Sequence, residues 1–200
     1  MTKMNAAQRA ETIATVTNTL SQMITDRKAK DATLCAQAVK RSDKYCAFFS
    51  TAKFATVAVD ARFDLTDLFG RCDKTLDRFV RVLDSVMRDN LDLTNESDQN
   101  RYTFNLLRTV VAGAATKTAI TKSDVFATAT KTDTAPEYVT VSRRKMSDST
   151  AERQSGIATF VLECLGIVTR TKTESGSVVM TVNVNAPMYR RALKLVASGK

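Results

Sequence analysis

Between Asn5 and about Lys40 the chain runs without glycine or proline, and apolar side chains recur at Ile13, Val16, Leu20, Met23 and Ile24, then at Leu34, Cys35 and Ala38. That spacing is the period of an α-helix with a single apolar stripe. The polar run Asp26-Arg27-Lys28-Ala29-Lys30-Asp31 interrupts it and reads either as the exposed middle of one long helix or as a break between two. A thin stripe packs on its own domain or on a partner chain. The stretch itself offers no partner, so a homodimer through residues 5–40 is expected. In residues 44–70, Tyr45, Phe48, Phe49 and Ala52 fit a helix, whereas Phe54-Ala55-Thr56-Val57-Ala58-Val59 also fits a strand; the segment is read as helical. Leu76, Phe79, Val80, Leu83, Val86 and Met87 then follow the i, i+3, i+4, i+7 pattern, with Asp73 as cap and an end near Asn90. The polar residues 91–98 read as a connector. They divide the chain into a helical assembly or partner-contact region, 1–95, and a second domain, 96–200.

The second half changes period. A helix capped by Ser97 or Asp98 turns Phe104, Leu107, Val110, Val111 and Ala114 inward. A short segment ending at Ile120 leads into Thr121-Lys122-Ser123-Asp124, a helix start with Thr121 as cap and Val125, Phe126 and Ala129 as its buried side. Residues 131–146 form a long polar connection that contains Pro136 and the triplet Arg143-Arg144-Lys145. Ser149-Thr150-Ala151-Glu152 has the pattern of a capping box, ahead of Ile157, Phe160, Val161, Cys164 and Leu165 at helical spacing. Gly166 stands where a left-handed residue ends a helix. Two alternating runs, 167–173 and 178–184, flank Glu174-Ser175-Gly176-Ser177 and predict a β-hairpin. A last amphipathic helix from about Ala186 carries Met188, Leu193, Leu195 and Val196, with Arg190 and Arg191 exposed.

Composition narrows the chemistry. The 200 residues hold no His, 4 Cys, 30 Lys+Arg and 21 Asp+Glu, a net charge of +9. Without imidazole there is no Ser-His-Asp or Cys-His nucleophile system, and the default general base near neutral pH is gone. Cys35, Cys46, Cys72 and Cys164 are irregularly spaced and read as core thiols rather than as zinc ligands. No phosphate-binding glycine loop occurs. Asp60, Asp64, Asp67, Asp73 and Asp77 are either a Mg²⁺ cluster or, as preferred here, acidic helix starts and exposed turns. No metal, cofactor or enzymatic activity is therefore expected. No apolar run approaches the about 18–20 residues of a membrane span, and the first residues carry no apolar leader, so no membrane contact and a cytoplasmic location are expected. Basic residues favour a polyanionic partner. The excess leans C-terminal, with 15 basic and 12 acidic residues in 1–95 against 15 and 9 in 96–200.

Helix, short strand, helix, helix, hairpin: residues 98–184 resemble a winged helix-turn-helix domain. The resemblance rests on Ile120-Thr121-Lys122-Ser123-Asp124-Val125, similar to the step from first strand to second helix, and on Val161-Leu162-Glu163-Cys164-Leu165-Gly166-Ile167-Val168-Thr169-Arg170, similar to the exit of a recognition helix into its wing. It covers under half of the chain, and the connection 131–146 is longer than the family's usual turn. The fold expected is mainly α: an N-terminal helical region, then a winged helix-turn-helix domain of three helices plus a hairpin, and a C-terminal helix. The resemblance implies a non-enzymatic regulator of transcription or replication that binds duplex DNA, with RNA or single-stranded DNA as alternatives. Arg153 and Gln154, one turn into the third helix, would reach base edges. Arg143, Arg144 and Lys145 before it, and Arg170, Lys172 and Ser175 on the hairpin, would hold backbone. Lys122 at the second helix start completes the set. The alternative is a structural or interaction protein whose winged helix docks another protein.

Overall fold

A computed structural model describes residues 5–33, 36, 43, 46–63, 65, 68–71, 73–88 and 98–198, with the side chains at 70, 73, 74, 88, 98–100 and 198 left aside. The protein is mainly helical with one small antiparallel sheet. Its elements are α1 (Ala6–Ala32), α2 (Ala52–Ala61), a 3₁₀ turn (Leu68–Gly70), α3 (Asp73–Arg88), α4 (Asp98–Ala115), β1 (Ile120–Thr121), α5 (Lys122–Ala129), α6 (Asp148–Cys164), β2 (Val168–Lys172), β3 (Val178–Val182) and α7 (Pro187–Ser198). The chain forms two compact units, Met1–Val80 and Arg81–Lys200. The division falls inside α3, where the sequence pattern had placed it at 95/96. The connector chosen from the sequence lies outside the described residues, except for the first residue of α4.

In the first unit α1 is one continuous helix. Asn5 and Gln8 cap it reciprocally, Asn5 Oδ1 accepting from Gln8 N at 2.8 Å and Gln8 Oε1 from Asn5 N at 3.1 Å. Its exposed hydroxyls at Thr12, Thr15, Thr17, Thr19, Ser21 and Thr25 each donate to the carbonyl four residues back, which satisfies them without leaving the helix. The polar run that interrupts the stripe is neither a break nor wholly exposed. Arg27 and Asp31 are buried and joined at 2.8 Å. Arg27 Nη1 also donates to the carbonyls of Phe69 (3.0 Å) and Arg71 (2.7 Å), tying α1 to the 3₁₀ turn. α1 packs on α2, with Leu20 buried and Ile13, Val16, Met23 and Ile24 half-buried. Phe49, Phe54, Phe69 and Phe79 form the unit's aromatic core, Phe49 meeting both Phe54 and Phe69 at 4.9 Å between centroids in edge-to-face geometry. Residues 52–61 are helical, as expected, and not a strand.

The second unit is built around α4, which is buried from Tyr102 to Val111 at every residue but Arg108. Both α5 and α6 pack on it, and α7 covers part of it. Its buried Asn105 donates through Nδ2 to Thr128 O at 3.0 Å, and Thr109 Oγ1 accepts from Thr140 N at 2.9 Å. Near its end Gly113 meets Ile120, the fully buried residue of β1. The sheet order is β1-β3-β2, all antiparallel, with Ile120 opposite Met180 and Arg170 opposite Met180 from the other side. Gly166 ends the helix region at φ 67°, and Gly176 turns the hairpin at φ 81°.

Two local expectations are corrected. The box Ser149–Glu152 does not form: α6 starts two residues earlier with Ser147 as its cap residue, whose hydroxyl donates to Thr150 Oγ1 at 2.9 Å instead of capping the backbone. The inward face of α6 is Ala151, Ser155, Ala158, Val161, Leu162 and Leu165, while Ile157 and Phe160 are half-buried. The phase is set by small residues, because α6 lies close to α4 and α5. In the hairpin, the residues after it and α7, Val178, Val184 and Leu193 are exposed, while Val168, Met180, Met188, Ala192 and Leu195 are buried.

The two tightest features carry predictions. A Cβ at Gly113 would run into Ile120 Cδ1. Gly113→Ala should cost about 1–3 kcal/mol by overpacking, and adding Ile120→Val, which deletes that methyl, should recover part of the loss rather than add to it, as read by urea denaturation of the double-mutant cycle. Asp31→Ala should cost about 3–5 kcal/mol in the same assay, since it strands the buried Arg27 charge.

Candidate nucleic-acid interface

The nine residues singled out from the sequence fall in four places. Arg143, Arg144 and Lys145 are exposed at the end of the 131–146 connection, just ahead of α6. Arg153 is exposed and Gln154 half-buried in the second turn of α6. Lys172 and Ser175 lie at the far end of the hairpin, where the Ser175 hydroxyl is hydrogen-bonded with Thr173 and Ser177 at 2.9 and 3.5 Å. The remaining two, Lys122 and Arg170, come together around a half-open cavity between α5, α6 and the sheet.

Neither cation is left alone there. Arg170 Nε donates to Glu163 Oε1 at 2.6 Å, and Lys122 Nζ stands 3.6 Å from Glu152 Oε1. Both glutamates project from α6. Expected phosphate contacts are thus partly neutralised by carboxylates of the helix expected to read bases. The Arg170 pair is short and its glutamate side chain only 20% exposed, whereas the Lys122 pair is open to solvent at both ends. The second is worth little.

The long connection, a departure from the winged-helix pattern, is an ordered part of the second unit. Val139 and Ser142 are buried. Ser142 N donates to Ala127 O at 3.1 Å, Met146 N to Thr130 Oγ1 at 2.9 Å, and Lys131 N to Arg144 O at 2.9 Å. At the start of α5, Thr121 and Asp124 form the expected capping box. Tyr138 Oη adds a third bond, donating to Asp124 Oδ2 at 2.8 Å. These bonds hold the segment carrying Arg143–Lys145 against α5 and leave those three side chains in solvent.

Of the other residues weighed from the sequence, only some lie among the described residues. Asp60 is held by Arg9 in a bidentate pair at 2.7 and 2.8 Å, which keeps its carboxyl below the usual range through that hydrogen bond. Asp64 and Asp67 lie outside the described residues, and the side chain of Asp73 is not described. Among the described residues no three His, Cys, Asp or Glu side chains group as metal ligands. Cys46 and Cys164 are buried and in no disulfide, and Cys35 and Cys72 fall outside the description. No described helix is long and apolar enough to cross a membrane.

The wall of the cavity, Ser155, Gly156 and Thr159 on α6, was missed in the sequence reading. The available signal was Gly156 itself. A glycine in mid-helix costs about 1 kcal/mol relative to alanine, and here a built Cβ would meet nothing within 4 Å. Packing therefore does not require it. Comparison with known proteins returns no match: no family model, curated protein or solved structure is significantly similar to this chain.

The Tyr138–Asp124 bond makes stability depend on alkaline pH. Burial, and then the hydrogen bond to Asp124, push the Tyr138 hydroxyl from 10.0 up to about 12. A folded-state value above the unfolded one means the contribution is complete below pH 10 and is lost as pH rises from 10 toward 12. Tyr138→Phe should cost about 1 kcal/mol at neutral pH and flatten that alkaline decline in denaturation midpoints measured from pH 8 to 12.

Proposed function

We propose that the second unit contains a winged helix-turn-helix domain that binds duplex DNA without catalysis, with α6 as recognition helix and the β2–β3 hairpin as wing, in a regulator of transcription or replication. The observation that carries this reading is the topology: α4, β1, α5, α6 and the hairpin follow in that order, and β1 pairs with β3, the returning strand. Support also comes from the exposed Arg143, Arg144, Lys145, Arg153 and Lys172, which flank α6 and follow β2 outward. Lys and Arg gain by releasing counterions from phosphate, and a helix start offers amides to it. A second reading, docking of another protein, is favoured by one observation: Glu152 and Glu163 project from the same helix and take up Lys122 and Arg170.

Gel shifts with duplex DNA, single-stranded DNA and RNA across a salt series separate the two. On a preferred duplex Arg153→Ala should cost about 1–3 kcal/mol and flatten sequence preference. Arg143→Ala or Lys172→Ala should weaken all sequences alike and lower the salt slope by about one unit. Glu163→Gln, which frees Arg170, should strengthen binding and steepen that slope. Duplex binding by all four variants equal to the parent's at about 150 mM salt would replace this reading with protein docking.

A further inference from the structure

The half-open cavity beside α6 has a volume of about 440 Å³. Its deeper lining is apolar: Ile120 and Met180 from the sheet, Val125 and Phe126 from α5. Ile120, Met180 and Val125 are buried side chains of the fold's own core, so this lining is preformed. On the α6 side stand Ser155, Gly156 and Thr159. Both hydroxyls there are already spent on helix carbonyls, at 3.0 Å each. They add no unmet polar demand to the wall. Gly156 leaves a gap that no neighbouring atom fills. A cavity of about 150 Å³ accepts a benzene ring, and drug-sized sites begin at about 300 Å³. The space suits a two-ring or medium-chain apolar body.

The mouth decides the charge of the occupant. Arg170 lines it and, among the described residues, bonds only through Nε, to Glu163, so neither Nη group has a partner there. Lys122 is 82% exposed and only loosely associated with Glu152. A planar guanidinium edge with unused donors matches a carboxylate. We infer that this cavity is a binding site for a small apolar carboxylate, its ring or tail lying on Ile120, Val125, Phe126 and Met180 and its carboxylate on the Nη edge of Arg170. A glutamate stands beside each cation of the mouth, Glu152 at Lys122 and Glu163 at Arg170; the charged end is assigned to Arg170 because Glu163 engages Nε alone and leaves the planar Nη edge to a second carboxylate. The site is independent of whether the unit binds DNA.

The test is calorimetric titration of the full-length protein, without nucleic acid, with three probes of equal body: 1-naphthoate, 1-naphthylmethanol and 1-naphthylmethylammonium. The carboxylate should bind saturably and at least about tenfold more tightly than the other two. Gly156→Leu fills the cavity from an open helical position and should abolish binding while circular dichroism and melting temperature report an intact fold. Arg170→Gln should weaken 1-naphthoate about tenfold and leave the alcohol unchanged. No saturable binding of the carboxylate, equal binding of the alcohol or ammonium, or parental affinity in folded Gly156→Leu would each overturn the assignment.

Discussion

The second unit depends on one constraint: α4 is buried on nearly every face, and of the polar side chains it buries Asn105 and Thr109 find partners inside, whereas Thr103 Oγ1 finds none among the described residues. The helix satisfies its own backbone, but Asn105 and Thr109 each bring a side-chain group into a region without water. A buried polar group left unpaired costs more than a made hydrogen bond returns. Asn105 meets this by donating to Thr128 O, a carbonyl near the end of α5 that has no turn ahead of it. Thr109 meets it by accepting from Thr140 N, in the connection between α5 and α6. Two side chains on one helix therefore fix the end of α5 and the course of residues 131–146. The connection in turn brings Tyr138 onto Asp124 and so secures the start of α5. Both ends of α5 and the entry into α6 are set from the central helix.

The same logic operates in the first unit at Arg27. A guanidinium has five donors and no acceptor, and here it is shared among Asp31 and two carbonyls of the turn at residues 68–71. This arrangement explains why a pattern of apolar positions alone left α1 open between one helix and two. Arg27 and Asp31 are four apart and on the buried side, yet by type they announce solvent. The helical period of the stripe was legible, and so were α2, the Thr121–Asp124 start of α5, the left-handed Gly166 and the hairpin, all of which rest on local rules. What local rules do not carry is the partner. The phase of α6 follows Ala151, Ser155 and Ala158 because its neighbours come close, while the larger Ile157 and Phe160 are left at the margin. The box at Ser149 failed for a related reason. Asp148 already favours a helix start through its charge, and the helix begins ahead of the motif that seemed to open it.

The candidate interface was legible by residue and not by pairing. Arg143, Arg144, Lys145, Arg153 and Lys172 are as exposed as a basic surface requires. That Arg170 would meet Glu163 follows from the turn at Leu165–Gly166, which folds β2 back along the end of α6. A separation of seven residues across a helix end and a strand is not a spacing that any simple periodicity announces.

The two glutamates set how strongly that surface can attract an anion. An exposed ion pair such as Lys122–Glu152 contributes about 0–1 kcal/mol because water already solvates both charges well. The Arg170 pair is shorter and its glutamate less exposed, and it engages Nε alone. Selectivity follows from geometry. Val168 and Ile167 are buried behind Arg170, and its strand is paired with β3 along its whole length, so the guanidinium is carried on a fixed backbone. Glu163 occupies only its Nε side. An oxyanion presented from the cavity or along the hairpin, as proposed above, would meet the two Nη groups without displacing Glu163.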